Sequence, residues 1–590
     1  MTGGLLNIVS YGNQNIILNS NPKKSFFKTT YARYTNFGMQ KFRIDFNGLR
    51  NLRMSEESRF TFTVPRYAEL LMDTYLVVTL PTIWSPIFPP IGCGDAWRPY
   101  EFRWIENLGT QMIKEITFSV GGQILQRMTG KYLQAVVQRD LNGTKRFLYD
   151  SMTGNTAELN DPANFSGRKN TYPNVYYTPV TATHPQGPEP SIRGRKLYIP
   201  LNAWFCNNSR TAFPLVALQY NELQIDVVMR PVRDLFVTRD INYAPHSISN
   251  TEPITPVEVA QAPFIQPNFN EPDYQFYRFL QPPPSPDIVG ANAYADADKR
   301  TDWNADVHLL STYCFLSAEE SRVFASQEQK YLLKEAYEWD FKNITGSHRV
   351  ELQNTMGMVA TWMFLFQRSD INLRNQWSNY TNWPYMNMIP DDVALAPFMP
   401  NPPLTIETGF PNPCPESVDE YPYIGPGTDL SANDTVSPSG LFITKYYNVE
   451  NQREILQQLG ILLNGSYREN MLDAGVYNYV EKYIRTAGSA PFGLYIYNFG
   501  MDASNITYQP SGAINMSKFS TIELEFTTYP PPLDPSANFY TICDPETGIP
   551  IGVNKPTWRI YDYNYDLTVL EERYNVLTFI GGNCALMYAR

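Results

Sequence analysis

The side chains that most often carry enzymatic chemistry are few in this chain and widely spaced. Only four histidines occur in 590 residues, and the six cysteines include no C-x-x-C pair. Zinc sites and disulfide frameworks depend on closer spacings, so neither is predicted. The phosphate-binding pattern G-x4-G-K-[ST], the zinc pattern H-E-x-x-H and the nucleophile pattern G-x-S-x-G do not occur. We therefore predict no catalytic residue, no metal and no cofactor, and do not expect an enzyme.

Asparagine-linked modification is one side-chain chemistry that the sequence does suggest. Asn-x-Ser/Thr sequons are numerous, although several are expected by chance in a chain rich in asparagine. No apolar h-region opens the chain, so secretion is not expected, and the longest apolar run, Met358–Phe366, is too short to cross a bilayer. The best candidates for glycosylation lie in predicted outer loops: Asn142, Asn164 and Asn433.

The N-terminal 37 residues hold an unusual density of aromatic and basic side chains. A chain end with such content is expected to dock on another surface. We predict that this arm, residues 1–37, makes its contacts through Lys23, Lys24, Phe26, Phe27, Lys28, Tyr31, Arg33, Tyr34 and Phe37.

Charge is distributed unevenly along the chain. The net charge is −11, yet residues 1–60 contain nine Lys or Arg and only three acids. A chain this acidic is not expected to bind nucleic acid directly. Two interpretations of the basic segment stay open: a solvated face, or a face towards an acidic neighbour such as an anionic membrane or an acidic partner protein.

Composition favours strands and an extensively covered surface. Aromatic residues make up 14% of the chain, and proline occurs 47 times, mostly where turns are expected. Charged residues are 18%, against roughly 25% in ordinary soluble domains. The sequence therefore predicts a β-rich, loop-rich protein, and its length predicts two large domains.

Periodicity places many of the strands. Alternating segments predict strands at 41–46 and 59–64, and Ile113–Val120 followed by Gly121-Gly122 predicts a hairpin. Residues 145–195 are interpreted as a long exposed insertion, 380–440 as a loop, and 451–463 and 475–485 as helices. Further strands are predicted at 75–80, 197–200, 223–229, 308–315, 337–341, 356–366, 494–499, 521–527 and 574–579.

Several blocks of the first half resemble the major capsid protein family of nucleocytoplasmic large DNA viruses. The N-terminal arm has the family's pattern GGL-x3-V-x-YG-x-Q followed by NP-x3-FFK-x2-Y-x-R-Y-T-N-F. Asn221 stands where the family often has histidine. The remaining similar blocks are Ile116–Ile124, Leu197–Leu201, Trp204-Phe205 and Pro214–Glu222.

The second half carries further blocks in the family's order. The C-terminal tail, Cys584–Arg590, departs from the family's glycine-rich ending. The similar blocks are Tyr313–Ala325, Trp362–Arg368, Asn375–Tyr380, Gln509–Ser517 and Tyr574–Leu577.

The resemblance implies an all-β double jelly roll: two consecutive jelly-roll β-sandwiches with long loop insertions and few short helices. The expected division is an arm at 1–37, a first jelly roll at 38–232, a connector at 233–305 and a second jelly roll at 306–590. The resemblance implies a structural protein of mimivirus-like affinity that forms homotrimeric, pseudo-hexagonal capsomers of an icosahedral virion. Expected partners are neighbouring capsomers, minor capsid or penton proteins and an inner membrane, with assembly in the host cytoplasm.

A second hypothesis belongs to another functional class. Aromatic loops on jelly rolls often stack on sugars, so a carbohydrate-binding or carbohydrate-cleaving β-sandwich is the alternative, although no motif marks the pair of carboxylates that cleavage needs. Under the capsid interpretation the loop aromatics are candidates for contacts between subunits, with packing inside their own loops as an equal alternative. They are Trp97, Tyr100, Trp377 and Trp383.

Overall fold

A computed structural model gives the structure of the chain. It describes residues 3–85, 101–168, 172–173, 190–240, 263–271, 274–280, 302–353, 356–386, 452–507, 509–532, 534, 540–543, 549–554 and 559–588. The predicted site residues Trp97, Tyr100 and Asn433, and most of the predicted loop at 380–440, lie outside the described residues.

Strands form most of the regular structure. In the first half they are β1 Phe37–Asp45, β2 Asn51–Arg53, β3 Ser58–Thr63, β4 Leu70–Thr79, β5 Phe102–Trp104, β6 Ile113–Val120, β7 Gln123–Thr129, β8 Lys196–Pro200, β9 Phe213–Pro214, β10 Leu223–Met229, β11 Phe236–Arg239, β12 Phe264–Ile265, β13 Asp302–Asn304 and β14 His308–Leu316. In the second half they are β15 Gln329–Ile344, β16 Ser347–Glu351, β17 Met358–Arg368, β18 Leu456–Leu463, β19 Ser466–Asp473, β20 Leu494–Asn498, β21 Ile514–Asn515, β22 Ile522–Thr528, β23 Tyr540–Cys543, β24 Pro550–Asn554, β25 Tyr565–Ile580 and β26 Asn583–Leu586.

Helices are short. The α-helices are α1 Gly3–Val9, α2 Ile16–Asn19, α3 Leu108–Gln111, α4 Gly130–Asp140, α5 Gly143–Thr153, α6 Ala157–Asn160, α7 Trp204–Asn207, α8 Ala318–Ser326 and α9 Glu481–Arg485, the last preceded by a π-helical turn, Val476–Val480. Turns of 3-10 helix occur at Asn13–Asn15, Phe165–Gly167, Ser209–Thr211, Leu215–Ala217, Val232–Asp234, Phe276–Phe279, Ile371–Arg374 and Met516–Lys518.

The first half is a β-sandwich made from two antiparallel sheets. One has the strand order β1-β14-β4-β8 with β9 on β4, and the other has the order β3-β10-β6-β7. Period-two alternation explains the second sheet: Phe60 and Phe62 of β3 and Ile225 and Val227 of β10 point into the core, whereas the residues between them face outwards. The predicted β6–β7 hairpin is present, with its turn at Gly121 and Gly122, both at positive φ.

The second half repeats this architecture. One sheet has the order β15-β25-β17-β20, with β21 and β26 attached, and the other has the order β16-β22-β18-β19. The segment 451–463, predicted as a helix, is the strand β18 from Leu456 onwards. The apolar spacing of this segment fits either period, and hydrogen bonding to β22 and β19 on its two sides decides for the strand. The predicted helix at 475–485 is present.

Strand β14 does not belong where the sequence order suggests. It was expected to open the second jelly roll, but it pairs with β1 on one side and β4 on the other, inside the first sandwich. The chain therefore passes from the first sandwich to the second after β14, near α8. This pairing joins residues about 270 positions apart, such as Phe42 and Ser311, so local periodicity could not reveal it.

Described parts of the predicted connector at 233–305 and of the predicted insertion at 145–195 form regular structure that packs on the first sandwich. In the connector, Phe236, Phe276 and Trp303 lie in the first hydrophobic core, and β11 and β13 pair with β5 and β2. Residues 143–153 form helix α5, which caps its N-terminus with Asn142 and buries Tyr149, so the first part of the insertion is a packed helix.

Two glycines that begin the two eleven-residue helices make a matched test of this packing. A Cβ at Gly130, the first residue of α4, would overlap the carbonyl oxygen of Ile113 and lie 2.6 Å from that of Thr110, whereas a Cβ at Gly143 meets nothing within 4 Å. We expect Gly130→Ala to lower the free energy of unfolding by about 1–3 kcal/mol. Gly143→Ala should leave it unchanged or raise it by up to about 1 kcal/mol. Urea unfolding followed by circular dichroism measures both, and equal effects would contradict the close approach.

Candidate functional site

The two sandwiches meet along one sheet whose central strands are largely buried on both faces. In β25, Leu567 and Val569 point into the core of the second sandwich, while Leu570 and Leu577 pack into the core that continues from the first. In β17 every residue after Met358 is buried. The long apolar run Met358–Phe366 is thus explained by a strand with no solvent face.

A cluster of charged side chains lies inside this junction. The guanidinium of Arg139, from α4, donates to the carboxylate of Glu572, on β25, at 2.8 Å and to that of Asp140 at 2.7 and 3.1 Å. The side chains of Arg139 and Glu572 are fully buried, and that of Asp140 is 3% exposed. Lys334, on β15, is 3.9 Å from Glu572 and donates to the carbonyls of Ala503 and Ser504. The cluster joins three elements from the two sandwiches.

Neutral groups complete the hydrogen bonding of the cluster. Tyr132 Oη donates to Glu572 Oε1 at 2.9 Å, and Asn505 Nδ2 donates to the same oxygen at 3.0 Å. The backbone N–H of Asn505 donates to Asp140 Oδ2 at 2.9 Å. Both carboxylates therefore accept several hydrogen bonds and an ion pair, as buried charges require. Asn505 heads a sequon, but its amide is committed to this network, which makes it a poor site for a glycan.

The electrostatics of the cluster favour the ionised state. Burial by itself raises the pKa of Glu572, but the charges of Arg139 and Lys334 and the hydrogen bonds of Arg139 and Tyr132 outweigh it, so the pKa lies below its ordinary value. Burial lowers the pKa of Lys334, against the attraction of Glu572. A buried carboxylate with these partners is satisfied by its own chain, which gives the cluster a structural role at the junction.

A small polar cavity of about 50 Å³ adjoins the cluster. Two polar atoms of buried side chains line the cavity, Trp204 Nε1 and Gln126 Oε1. Neither has a hydrogen-bond partner among the described residues. The volume and the polar lining suit a few water molecules rather than a substrate.

The N-terminal arm has the opposite character, since nearly all of it is exposed. None of the described residues before Phe37 is buried, and the predicted contact residues Phe26, Phe27, Tyr31 and Tyr34 are 85–98% exposed. The ammonium of Lys24 lies 5.5 Å from the ring centroid of Phe26. The structure thus places these residues together on an uncovered segment that leads into β1. The contacts of the arm with other surfaces stay a prediction.

The loop tryptophans that the structure describes contact their own chain. Trp377 Nε1 donates to the carbonyl of Asp234 at 2.9 Å, and the guanidinium of Arg230 lies 4.5 Å from the ring centroid. The ring of Trp383 lies 5.3 Å from the guanidinium of Arg453. Both tryptophans therefore pack on parts of their own chain outside the loop, and their role between subunits stays a prediction.

The two described glycosylation candidates are both exposed. The side chain of Asn142 caps α5 by accepting from the backbone N–H of Lys145, and that of Asn164 donates to Asp161. Over the residues that the structure covers, no cluster of three or more His, Cys, Asp or Glu is arranged to hold a metal. No helix in the same ranges is both long and apolar enough to span a membrane.

Sequence inspection missed the residues of the cluster and the helix that carries Arg139. One signal was present: Glu571, Glu572 and Arg573 are consecutive charges inside an otherwise apolar strand-like segment. Charged side chains at such positions are almost never fully buried unless they are paired, so their presence in this segment indicates buried ion pairs. Glu571 pairs with Arg573 and Trp362, but the partner of Glu572, Arg139 of α4, lies more than 400 residues away, and no local pattern identifies it.

Comparison with known proteins gives a consistent result. Residues 25–267 match the family model "Major capsid protein N-terminus", and residues 320–585 match "Large eukaryotic DNA virus major capsid protein", together more than four fifths of the chain. A major capsid protein of Chrysochromulina ericina virus is 29% identical over 57% of this chain and 52% of its own length, so the match spans about half of that relative. The probable capsid protein 4 of Acanthamoeba polyphaga mimivirus is 23% identical over 89% of this chain and 92% of its own.

Solved structures extend the likeness to the whole fold. The chain of the structure titled "PBCV-1 virus capsid, quasi-atomic model" superposes with a TM-score of 0.54 at 18% identity, over 96% of this chain and 100% of that one. The predicted all-β double jelly roll is confirmed. None of these matches supports the carbohydrate-binding or carbohydrate-cleaving alternative.

The buried cluster predicts a large effect from one conservative change. Glu572→Gln leaves Arg139 without its partner across the junction and should lower the free energy of unfolding by about 3–5 kcal/mol at pH 7. Because the folded-state pKa of Glu572 is lowered, the carboxylate contributes stability above the unfolded value of about 4.3 and loses it as pH falls through the folded value. The difference between wild type and variant should therefore shrink below pH 4. Glu56→Gln, in the exposed pair with Arg53, is the control and should change little.

A buried lysine predicts a pH dependence of the same sign in a higher pH range. Lys482 Nζ donates to Asn478 Oδ1 at 2.7 Å and to the carbonyl of Pro491 at 2.9 Å, and burial lowers its pKa to about 7. The unfolded chain keeps this proton to about pH 10.4, so the folded state gains stability as pH rises above 7. Urea unfolding at pH 7, 8 and 9 should show this gain in wild type relative to Lys482→Met. The exposed Lys330→Met should leave the pH profile of wild type unchanged.

Proposed function

Because the chain belongs to the major capsid protein family of large eukaryotic DNA viruses, we propose that it is the repeating subunit of an icosahedral capsid shell. Its role is structural and not enzymatic. The observation that carries the proposal is the joining of two similar sandwiches into one body through a doubly buried sheet. Three such chains place six sandwiches around one axis, which gives a near-sixfold outline suited to hexagonal tiling.

The oligomer that this geometry supports is a homotrimer. A ring of three identical chains requires heterologous contacts, in which one surface of a chain meets a different surface of the next. Each trimer is then a pseudo-hexagonal capsomer that contacts neighbouring capsomers along its sides. The low content of charged residues, 18%, suits a protein whose sides are largely covered after assembly.

The arm is proposed to lie on the inner side of the shell. Its exposed aromatic rings and its basic residues Lys23, Lys24, Lys28 and Arg33 suit an acidic or amphipathic neighbour, namely minor capsid or penton proteins or an anionic inner membrane. Direct binding to nucleic acid is not expected of a chain with net charge −11. The virion is the proposed location, and the host cytoplasm is the proposed site of assembly.

Within the chain we keep the proposed arm at 1–37 and revise the other divisions. Strand β14 is assigned to the first sandwich because it pairs with β1 and β4. The segment 233–305 is assigned to the first sandwich as well, since its described aromatics share that core. The second sandwich then begins after α8, at β15.

Glycosylation of the outer loops is a secondary proposal. Asn142 and Asn164 are exposed in the structure, and Asn433 belongs with them by sequence alone. Peptide mass spectrometry of the virion protein tests the three sites together, with Asn505 as the internal negative control.

The oligomer and the arm are tested together by light scattering coupled to size-exclusion chromatography. The full chain should have a mass near three times 67.6 kDa. Deletion of residues 1–36 should leave the trimer intact, since no described residue there is buried, but should impair shell assembly seen by electron microscopy. A monomeric full chain at high concentration would contradict the capsomer, and loss of the trimer on deletion would contradict the placement of the arm.

A further inference from the structure

The N-terminal arm consists of two parts that differ in charge. Residues 1–22 contain no charged side chain at all, whereas residues 23–37 contain four Lys or Arg and no acid. The first acidic residue of the chain is Asp45, at the end of β1. A partner that matches both parts must therefore offer an apolar region and, next to it, a negatively charged one.

The uncharged part presents aliphatic side chains to solvent. It contains the helices α1 and α2, and none of its described residues is buried. Helical spacing places Leu5, Leu6 and Val9 on one side of α1 and Asn7 roughly opposite. The aliphatic side chains have exposed fractions from 47% to 85%, and they are Leu5, Leu6, Ile8, Val9, Ile16, Ile17 and Leu18. Aliphatic side chains with no charge among them suit the acyl region of a lipid layer.

The basic part combines cationic side chains with aromatic rings. Both kinds of side chain are exposed, and they alternate along the segment. The bases are Lys23, Lys24, Lys28 and Arg33, and the rings are those of Phe26, Phe27, Tyr31 and Tyr34. Bases of this kind are attracted to anionic headgroups, and aromatic rings are enriched at the boundary between headgroups and acyl chains.

The separation of the two parts favours a lipid surface over an acidic protein. Insertion into an acyl region requires a segment without charge, because a charged side chain there is costly. The first 22 residues meet that requirement, and the bases follow in the order that places them at the headgroups. An acidic protein surface would instead be matched by bases distributed among the apolar contacts.

Acidic side chains of the folded body lie near the point where the arm leaves it. Phe37 pairs with Leu316, and Glu319 and Glu320 follow in the first turn of α8. Residues 23–36 contain no helix or strand. Fully extended, these residues span roughly 45 Å, which is enough to carry the uncharged part clear of the two acids.

We propose that the arm is a peripheral anchor for an anionic membrane. The aliphatic side chains of residues 5–18 enter the acyl region, and the bases of residues 23–33 lie among the headgroups. This inference rests on the proposed position of the arm on the inner side of the shell, and it names lipid as the partner. One arm with both signals binds reversibly, and the three arms of a trimer leave it on the same side, so they bind one membrane together with a higher apparent affinity.

Co-sedimentation of the full chain with lipid vesicles tests the proposal. Vesicles of phosphatidylcholine with phosphatidylserine should bind at least about tenfold more protein than vesicles of phosphatidylcholine alone, because each arm brings four bases to the headgroups. Added salt should weaken this binding. Equal binding to the two kinds of vesicle, or unchanged binding after deletion of residues 1–36, would overturn the proposal.

Charge variants test the role of the basic part. The triple variant Lys23→Gln, Lys24→Gln and Lys28→Gln should bind anionic vesicles about tenfold less than wild type. The matched control Lys330→Gln removes an exposed lysine of the second sandwich and should bind as wild type does. None of these residues is buried, so circular dichroism should show the same folded protein in each case. A triple variant that binds like Lys330→Gln would contradict the role of the bases.

Apolar variants test insertion separately from charge. Ile17 and Leu18 are each 85% exposed, so they can be changed without disturbing a core. The double variant Ile17→Ser with Leu18→Ser should bind anionic vesicles about tenfold less than wild type. The control Ile17→Leu with Leu18→Ile keeps the aliphatic surface and should retain the binding. Equal binding by the two double variants would overturn insertion.

Two further readouts separate this proposal from its alternatives. Wild type that binds poly-glutamate but not anionic vesicles would assign the arm to an acidic protein and overturn the membrane anchor. Light scattering gives the oligomer in the same preparations. A trimer that fails to bind anionic vesicles overturns the anchor and leaves the capsomer, whereas a monomer that binds them through residues 1–36 overturns the capsomer and leaves the anchor.

Discussion

The central strands β17 and β25 of the sheet β15-β25-β17-β20 are largely buried on both faces, and the rest of the molecule depends on that constraint. A strand without a solvent face must be apolar at consecutive positions, as β17 is, and each face must find its own core. One face packs into the core of the second sandwich, and the other face packs against the first sandwich. Separation of the two halves would expose the apolar residues of their shared core to water, so the two sandwiches pack together as one unit.

Inside this apolar junction the ion pair between Arg139 and Glu572 favours one docking position of the two sandwiches. Apolar contacts alone allow neighbouring docking positions of similar energy, whereas a buried charge tolerates only the position in which its partner is present. Asp140, Tyr132 and Asn505 saturate the pair. The cost of burying these charges is offset only in the correct arrangement, so the cluster favours a single geometry between sandwiches. For the proposed role as a shell subunit, such a fixed geometry matters more than extra stability.

The solvent-exposed surface differs in character from the buried junction. The charged groups of the buried cluster are paired with one another, whereas the arm presents aromatic side chains to solvent. The arm also carries the basic residues Lys23, Lys24, Lys28 and Arg33. This combination supports the proposal that the arm faces an acidic neighbour. The function of a protein without catalytic chemistry then depends on which of its surfaces stay exposed.

The sequence by itself determined the fold class, the strands with clear period-two alternation, the Gly121-Gly122 hairpin and the exposed arm, because these features depend on neighbours within a few residues or on family-specific blocks. It also established the family. Tertiary structure alone decided that β14 joins the first sandwich, that 456–463 is a strand and that α4 brings Arg139 to Glu572. Those outcomes come from pairings between distant segments. A short apolar segment fits either period, and a lone charge gives no sign of its partner, until the chain folds and the competing contacts are compared.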